Sequence, residues 1–155
     1  MTWSGCGLAI EQACTTVKTF VDTNILVYAY DRGAGDKHEL AQRALEQLWT
    51  EGSGALSTQV LQEFYVNVRR KARQPISITS ARSLIADYMA WEPVVNDGTS
   101  ILEAMDAERR YKLSFWDALI IVAAQKSEAD ELLSEDFSHG QQFGSVRVRN
   151  PFVVD

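Results

Sequence analysis

Asp22, Glu63, Asp117 and Asp136 are the carboxylates whose positions are hardest to explain by solvation of a surface. Asp22 interrupts the apolar run Phe20-Val21-Asp22-Thr23-Asn24-Ile25-Leu26-Val27-Tyr28, and Asp117 sits inside the longest apolar stretch, Phe115 to Ala124. Asp136 directly follows Glu131-Leu132-Leu133-Ser134-Glu135. Glu63 falls off the centre of a helical apolar face, on the side shared with Asn67, so it suits an edge or a cleft. Brought together without a Lys or Arg, such acids would repel one another and lose solvation. A hard divalent cation resolves that conflict. An all-oxygen donor set, with no Cys or His in these motifs, selects Mg²⁺ or Mn²⁺ rather than zinc. The chemistry available there is hydrolysis of a phosphate ester by metal-activated water. Each acid also has a plain structural reading. Asp22 suits a helix N-cap, and Ser114-Phe115-Trp116-Asp117 suits a capping box with Asp for Glu. Asp136 suits a turn and Glu63 a solvated helix surface. The metal reading rests on the four together.

The elements that would position them follow from periodicity and punctuation. Val17 to Val21 predicts a short buried strand, with a helical pattern over Asn24 to Tyr30, so Asp22 stands where a strand stops and a helix begins. Asp31 to Asp36 is a turn cluster. Asp36 is then expected to cap a helix through Glu51, its apolar face carrying Leu40, Ala41, Ala44, Leu45 and Leu48 and Gly52 ending it. Ala55-Leu56-Ser57 reads as the second strand. A helix over Thr58 to Lys71 follows, burying Val60, Leu61, Phe64, Tyr65 and Val68. Beyond Pro75, Ser77 or Thr79 opens a helix to Met89 with Leu84, Ile85, Tyr88 and Met89 inward. Pro93-Val94-Val95 reads as the third strand, and Asp97 or Thr99 opens a helix through Arg110 that buries Ile101, Leu102 and Met105. Ser114 caps Phe115 to Lys126, a helix apolar nearly all round and therefore central. Glu131 to Ser134 and Val146 to Arg149 complete the strands, with a turn or short helix over Phe137 to Gln142.

Short strands separated by helices predict an α/β fold, a mainly parallel sheet of 4–5 strands covered by helices on both faces. In such a sheet ligands bind beyond the carboxyl ends of the strands, the rim that Asp22 occupies. The 155 residues suit one domain over 17–155, after an N-terminal extension, 1–16, that is weakly patterned, either a loose tail or a start assigned too far upstream. Cys6 and Cys14 fall outside any metal-ligand spacing and fit a reducing, cytoplasmic setting. Residues 1–16 lack the basic and apolar regions of a secretory signal, and no apolar stretch is long enough for a membrane span. The net charge of −6 argues mildly against a nucleic-acid binder, although carboxylates gathered at a cation site would produce the same balance. Basic clusters at Arg69-Arg70-Lys71-Arg73, Arg109-Arg110-Lys112 and Arg147/Arg149 read equally as helix-end solvation or as phosphate contacts.

Phe20-Val21-Asp22-Thr23-Asn24-Ile25-Leu26 resembles the opening motif of PIN-domain ribonucleases, and Ser114-Phe115-Trp116-Asp117-Ala118-Leu119-Ile120 the segment with their third acid. Leu133-Ser134-Glu135-Asp136-Phe137, with His139-Gly140-Gln141, is similar to the closing motif of the VapC-type toxins in that family. Glu63 in Gln62-Glu63-Phe64-Tyr65 matches the helical second acid. The resemblance spans Val17 to Phe152. It implies a PIN-like fold and an Mg²⁺- or Mn²⁺-dependent endoribonuclease acting as the toxin of a type II toxin–antitoxin system. The implied metal-binding set is Asp22, Glu63, Asp117 and Asp136, with Asp22 and Asp117 on the main ion and the other two completing it or holding a second. Thr23, Asn24 and Ser134 are the implied polar supports, and Glu135 either faces solvent or adds a weak fifth carboxylate. Water is the nucleophile. An RNA substrate, a cognate antitoxin docking an Arg or an apolar helix near the acids, and a homodimer are the implied partners.

Other readings remain at this stage. A PIN-like RNA-processing nuclease needs no antitoxin. A phosphatase with an Asp nucleophile wants a second Asp where Asn24 stands, and a phospho-accepting receiver lacks its adjacent acidic pair at the first strand. An α/β interaction module would use the acids as caps and an apolar patch, with Trp49, Trp91 and Tyr111 as candidates.

Overall fold

The computed structural model describes residues 16–154, so the expectation for the N-terminal extension falls, but for Thr16, outside the described residues. Phe20 and Val21 are fully buried in β1 (Thr19–Val21), and the chain turns directly into α1 (Thr23–Tyr30). A short 3₁₀ turn, Arg32–Ala34, leads to α2 (Asp36–Glu51), where Gly35 is the N-cap and Asp36 the first helical residue. Gly52 ends α2 in the left-handed region at φ 65°, a conformation that costs glycine little. Next come β2 (Gly54–Ala55), α3 (Thr58–Arg70), α4 (Ile78–Tyr88), a 3₁₀ turn at Met89–Trp91, α5 (Gly98–Tyr111) and α6 (Phe115–Lys126). The chain closes with β3 (Glu131–Leu133), β4 (Gln142–Phe143) and β5 (Val146–Arg149).

The strands form one sheet in the order β2-β1-β3-β5-β4, parallel except for β4 against β5. The fold is α/β, as expected. Every residue of β1 is buried, as in a strand covered on both faces, whereas β5 alternates buried and exposed. The main core joins Phe20, Ile25, Leu26, Leu56, Phe64, Ile121 and Leu132, each contributing about 1.5–3 kcal/mol by leaving water. Tyr30, Trp49, Tyr88 and Trp91 form an aromatic cluster, edge-to-face at Tyr88 with Tyr30 and Trp91 and tilted at Trp49, and Trp91 lies where a Cβ on Gly54 would stand, 2.3 Å from its ring. Among the described residues, no helix is long and apolar enough to cross a membrane.

Several expectations need correction. Pro93-Val94-Val95 is not a strand: Val94 makes a single parallel bridge with Ser57, Pro93 has no N–H to offer, and Val95 is exposed. Ile101, Leu102 and Met105 do not face the core. They are 45%, 64% and 50% exposed, and α5 packs through Ser100, Ala104 and Ala107, whose small side chains let it approach α6 closely. Met89 and Leu40 also lie outside, and β4 was not anticipated because two residues carry no readable alternation. The basic residues Arg69, Arg70, Arg109 and Arg110 occupy the last turns of α3 and α5, where the helix dipole favours them.

Candidate functional site

Register explains the first contact of the site. Val21 pairs with Leu133, so the residues that follow, Asp22 and Ser134, emerge side by side at the carboxyl ends of β1 and β3. The Ser134 hydroxyl donates to Asp22 Oδ2 at 2.7 Å, and the Thr23 N–H donates to Asp22 Oδ1 at 2.7 Å. Asp22 is therefore the N-cap of α1 and the acceptor of the Ser134 hydroxyl at once, only 4% exposed. Ser134 Oγ also accepts the Asp136 N–H at 3.0 Å, which fixes the turn carrying the last acid.

Glu63 arrives from α3, whose start is capped by Ser57 Oγ accepting from Val60 N–H. Thr23 Oγ1 donates to Glu63 Oε2, and Gln59 Nε2 donates to Glu63 Oε1, both at 2.8 Å. The same Gln59 amide reaches the Trp116 carbonyl at 3.3 Å, tying α3 to the first turn of α6. In that turn Ser114 Oγ accepts the Asp117 N–H, so the capping reading holds for the Ser114 side chain and leaves the Asp117 carboxylate free of it.

The electrostatics join these groups. Burial pushes the Asp22 carboxyl up to about 7, against the opposing hydrogen bonds from Ser134 and Thr23, and the charges of Asp136 and Glu63 add to the rise. Asp136 is also raised, by burial first, with the Asn24 amide opposing and Asp117, Glu135 and Glu63 adding repulsion. Among the described residues no Lys or Arg forms an ion pair with any of the four acids. The Asn24 amide lies close enough to hold Asp136 down, yet its buried Nδ2 and Oδ1 complete no hydrogen bond.

Among the described residues, no group of three or more Asp, Glu, His or Cys side chains stands at chelating distance. The donor chemistry still fits a hard cation. Mg²⁺ keeps much of its water and is usually held by one or two carboxylates, so it does not require a closed cage. The unneutralised acids and the orphaned Asn24 amide are what such an ion and its waters would satisfy. Which carboxylates would hold it is a matter for the proposal below.

Not every singled-out residue plays one kind of part. Thr23 and Ser134 donate to carboxylates, while Asn24 makes no such bond. Glu135, whose charge still bears on Asp136, is paired: Lys37 Nζ is 2.7 Å from its Oε2, and the Tyr28 hydroxyl donates to its Oε1 at 2.5 Å. Lys37 is itself seated 4.9 Å from the Tyr28 ring centre and 5.1 Å from that of Phe152. The sequence reading missed Gln59 and Lys37. Gln59 had a signal, since it stands one helical turn before Glu63; Lys37 had none, because its partner is 98 residues away.

The family model of the PIN domain matches residues 19–140, a span that opens at β1 and contains all four acids. The chain belongs to the PIN-domain family. Its fold is similar to that of VapBC2 from Rickettsia felis, solved bound to a DNA fragment from their promoter, at 19% identity over 85% of this chain and 97% of that chain, TM-score 0.59. It is similar also to Mycobacterium tuberculosis VapC20, a sarcin–ricin-loop-cleaving toxin, at 21% identity over 84% of this chain and 99% of that chain, TM-score 0.60. At such identities the likeness is one of fold. No curated protein matches this PIN domain in sequence.

Proposed function

We propose that this PIN domain is a divalent-metal-dependent endoribonuclease and the toxin of a type II toxin–antitoxin system. The observation that carries the reading is the set of four electrostatically coupled carboxylates at one sheet rim, with no cation among the described residues to pair with them. Asp22 and Asp117 are assigned to the principal Mg²⁺ or Mn²⁺, and Asp136 and Glu63 complete it or hold a second. A bound ion there would supply a lowered pKa for water and charge stabilisation on the phosphoryl oxygens. The chain's own part is positioning. Ser134 and the Thr23 N–H hold the buried Asp22 in one orientation, and Thr23 Oγ1 with Gln59 fixes both oxygens of Glu63. The exposed Asp136 borders solvent, where an RNA phosphate and the attacking water would enter.

The partners follow from the same reading. VapBC2 pairs a toxin-like fold with its companion, and an antitoxin is proposed here too. An apolar groove of about 320 Å³ between α3 and α4, lined by Thr58, Leu61, Gln62, Tyr65, Ile85 and Met89, supports an apolar antitoxin helix near Glu63. The exposed Ile101, Leu102 and Met105 on α5 support a homodimer. Such a protein meets its RNA in the cytoplasm.

The test is cleavage of RNA with added Mn²⁺ or Mg²⁺ by the wild type and by Asp22→Asn. Cleavage by the first alone supports the nuclease; intact RNA with both, at high metal and free of inhibitor, rejects it. Growth arrest on expression, relieved by Asp117→Asn, separates a toxin from an RNA-processing nuclease, and a small protein that co-purifies supports the antitoxin.

A further inference from the structure

The described tryptophans live in different surroundings. Trp49 and Trp91 lie 5.0 Å apart in the aromatic cluster around Tyr88, Trp49 with 39% of its surface exposed. Trp116 is 64% exposed, and among the described residues its ring neighbour is Phe115, edge-on at 5.2 Å. Its backbone, by contrast, is fastened to the acidic site. The Trp116 carbonyl accepts from the Gln59 amide that also holds Glu63, and the next residue is Asp117. A large π-surface left in water is available to a ligand, and this one projects from the residue next to Asp117.

We propose that the Trp116 indole is a stacking platform for a nucleobase flanking the scissile phosphate. The proposal rests on the ribonuclease reading and extends it to a substrate class: RNA whose base at that point is unpaired and free to swing out. Aromatic stacking suits this task because every base has a π-face, so the contact positions a strand without dictating its sequence. Gln59 fixes the backbone from which the indole projects, in the same turn of α6 that carries Asp117. Ile101, Leu102 and Met105 are the other exposed apolar residues of the α5–α6 pair, so a second copy of the chain is the rival occupant.

The experiment uses the full chain carrying Asp22→Asn, which binds without cutting, and labelled short single-stranded RNA, an abasic ribose-phosphate oligomer of the same length and an RNA duplex. Trp116→Ala should weaken binding of the single strand about 5- to 150-fold, the range of one base–aromatic stack, and leave the abasic oligomer and the duplex unaffected. Trp116→Phe should recover most of the loss, while Trp116→Leu, of similar apolar character but without a π-face, should not. An equal loss on the abasic oligomer, no loss on the single strand, or no RNA binding by the Asp22→Asn protein overturns the proposal. So does a fall in oligomeric state on Trp116→Ala in sedimentation, which would assign the indole to a contact between copies. In the cleaving protein the substitution should raise KM with kcat nearly kept. Cleavage with unchanged KM rejects the platform and spares the nuclease, whereas base-dependent binding without cleavage by the wild type rejects the nuclease and spares the platform.

Discussion

Asp22 carries an electrostatic conflict that the fold does not itself relieve. Its carboxyl stands at about 7 in the folded chain, against about 3.9 for an unperturbed Asp in the unfolded one. The folded state therefore holds the proton more tightly, and this group's contribution is fully present below the unfolded value and is lost as pH rises through about 7. The loss has a ceiling of about 4 kcal/mol. Calorimetry of the metal-free protein should show the melting temperature falling between pH 5 and pH 8, with Mg²⁺ restoring it at pH 8 and changing little at pH 5, where protons compete. Asp22→Asn should remove most of that pH dependence, raise the metal-free melting temperature at pH 8 and abolish metal-dependent cleavage. Ser134→Ala should act in the opposite sense on the carboxyl, pushing it further up, because the hydroxyl is the strongest contact holding it down. A loss of about 10- to 100-fold in metal affinity or cleavage is expected, the range for a residue that orients a ligand, and titration of activity against Mn²⁺ concentration checks it.

At the scale of elements, β2 is only two residues long, and its place beside β1 depends on what covers it. Gly54 admits the Trp91 ring into the space of a Cβ, so Gly54→Ala must displace the aromatic cluster. We expect about 1–3 kcal/mol of destabilisation, as in other overpacked cores, read as a shift in denaturant midpoint with activity at low temperature kept. A second joint lies between α1 and the end of α3. The Asp31 carboxylate accepts from the Gly33, Arg73 and Gln74 N–H groups at 2.9–3.0 Å. Burial works against its charge, yet those N–H groups and the nearby Arg73 hold the carboxyl below its ordinary range. Asp31→Ala should cost about 1–2 kcal/mol because three part-buried backbone donors lose a charged acceptor, and the loss should shrink in acid as the wild-type carboxylate takes up its proton.

For the whole molecule, a net charge of −6 sits oddly with the proposed RNA substrate until its distribution is seen. Four of the acids gather at the rim, while Arg69, Arg70, Arg109 and Arg110 close the last turns of α3 and α5. RNA binding should therefore depend on divalent cation more than on surface basicity. The apolar face of α5 is the surface assigned to the proposed homodimer: Leu102→Glu should convert that dimer to a monomer by sedimentation while leaving the stability of the monomer within about 0.5 kcal/mol, as expected for an exposed site. Of the aromatic residues that an interaction surface could use, Trp49 and Trp91 pack on each other and on Tyr88, although Trp49 keeps 39% of its surface exposed.

The sequence by itself determined the α/β class, the position of nearly every helix and the family resemblance, because those properties are local. An N-cap serine, a left-handed glycine or a run of apolar residues acts within a turn or two, and Ser57, Ser77, Asp97 and Ser114 cap where their residue types predict. Asp22, Glu63, Asp117 and Asp136 were legible as misplaced acids for the same reason. The tertiary structure decided which way amphipathic faces point and which distant side chains meet. Periodicity turns Ile101, Leu102 and Met105 inward, but the small side chains opposite, Ala104 and Ala107, gave α5 the closer contact with α6. The pairing of Val21 with Leu133 set Ser134 against Asp22 across 112 residues. Lys37 paired with Glu135 across 98 residues, and Gln59 joined Glu63 to the turn bearing Trp116 and Asp117. Such pairings depend on packing, which no single stretch of chain encodes.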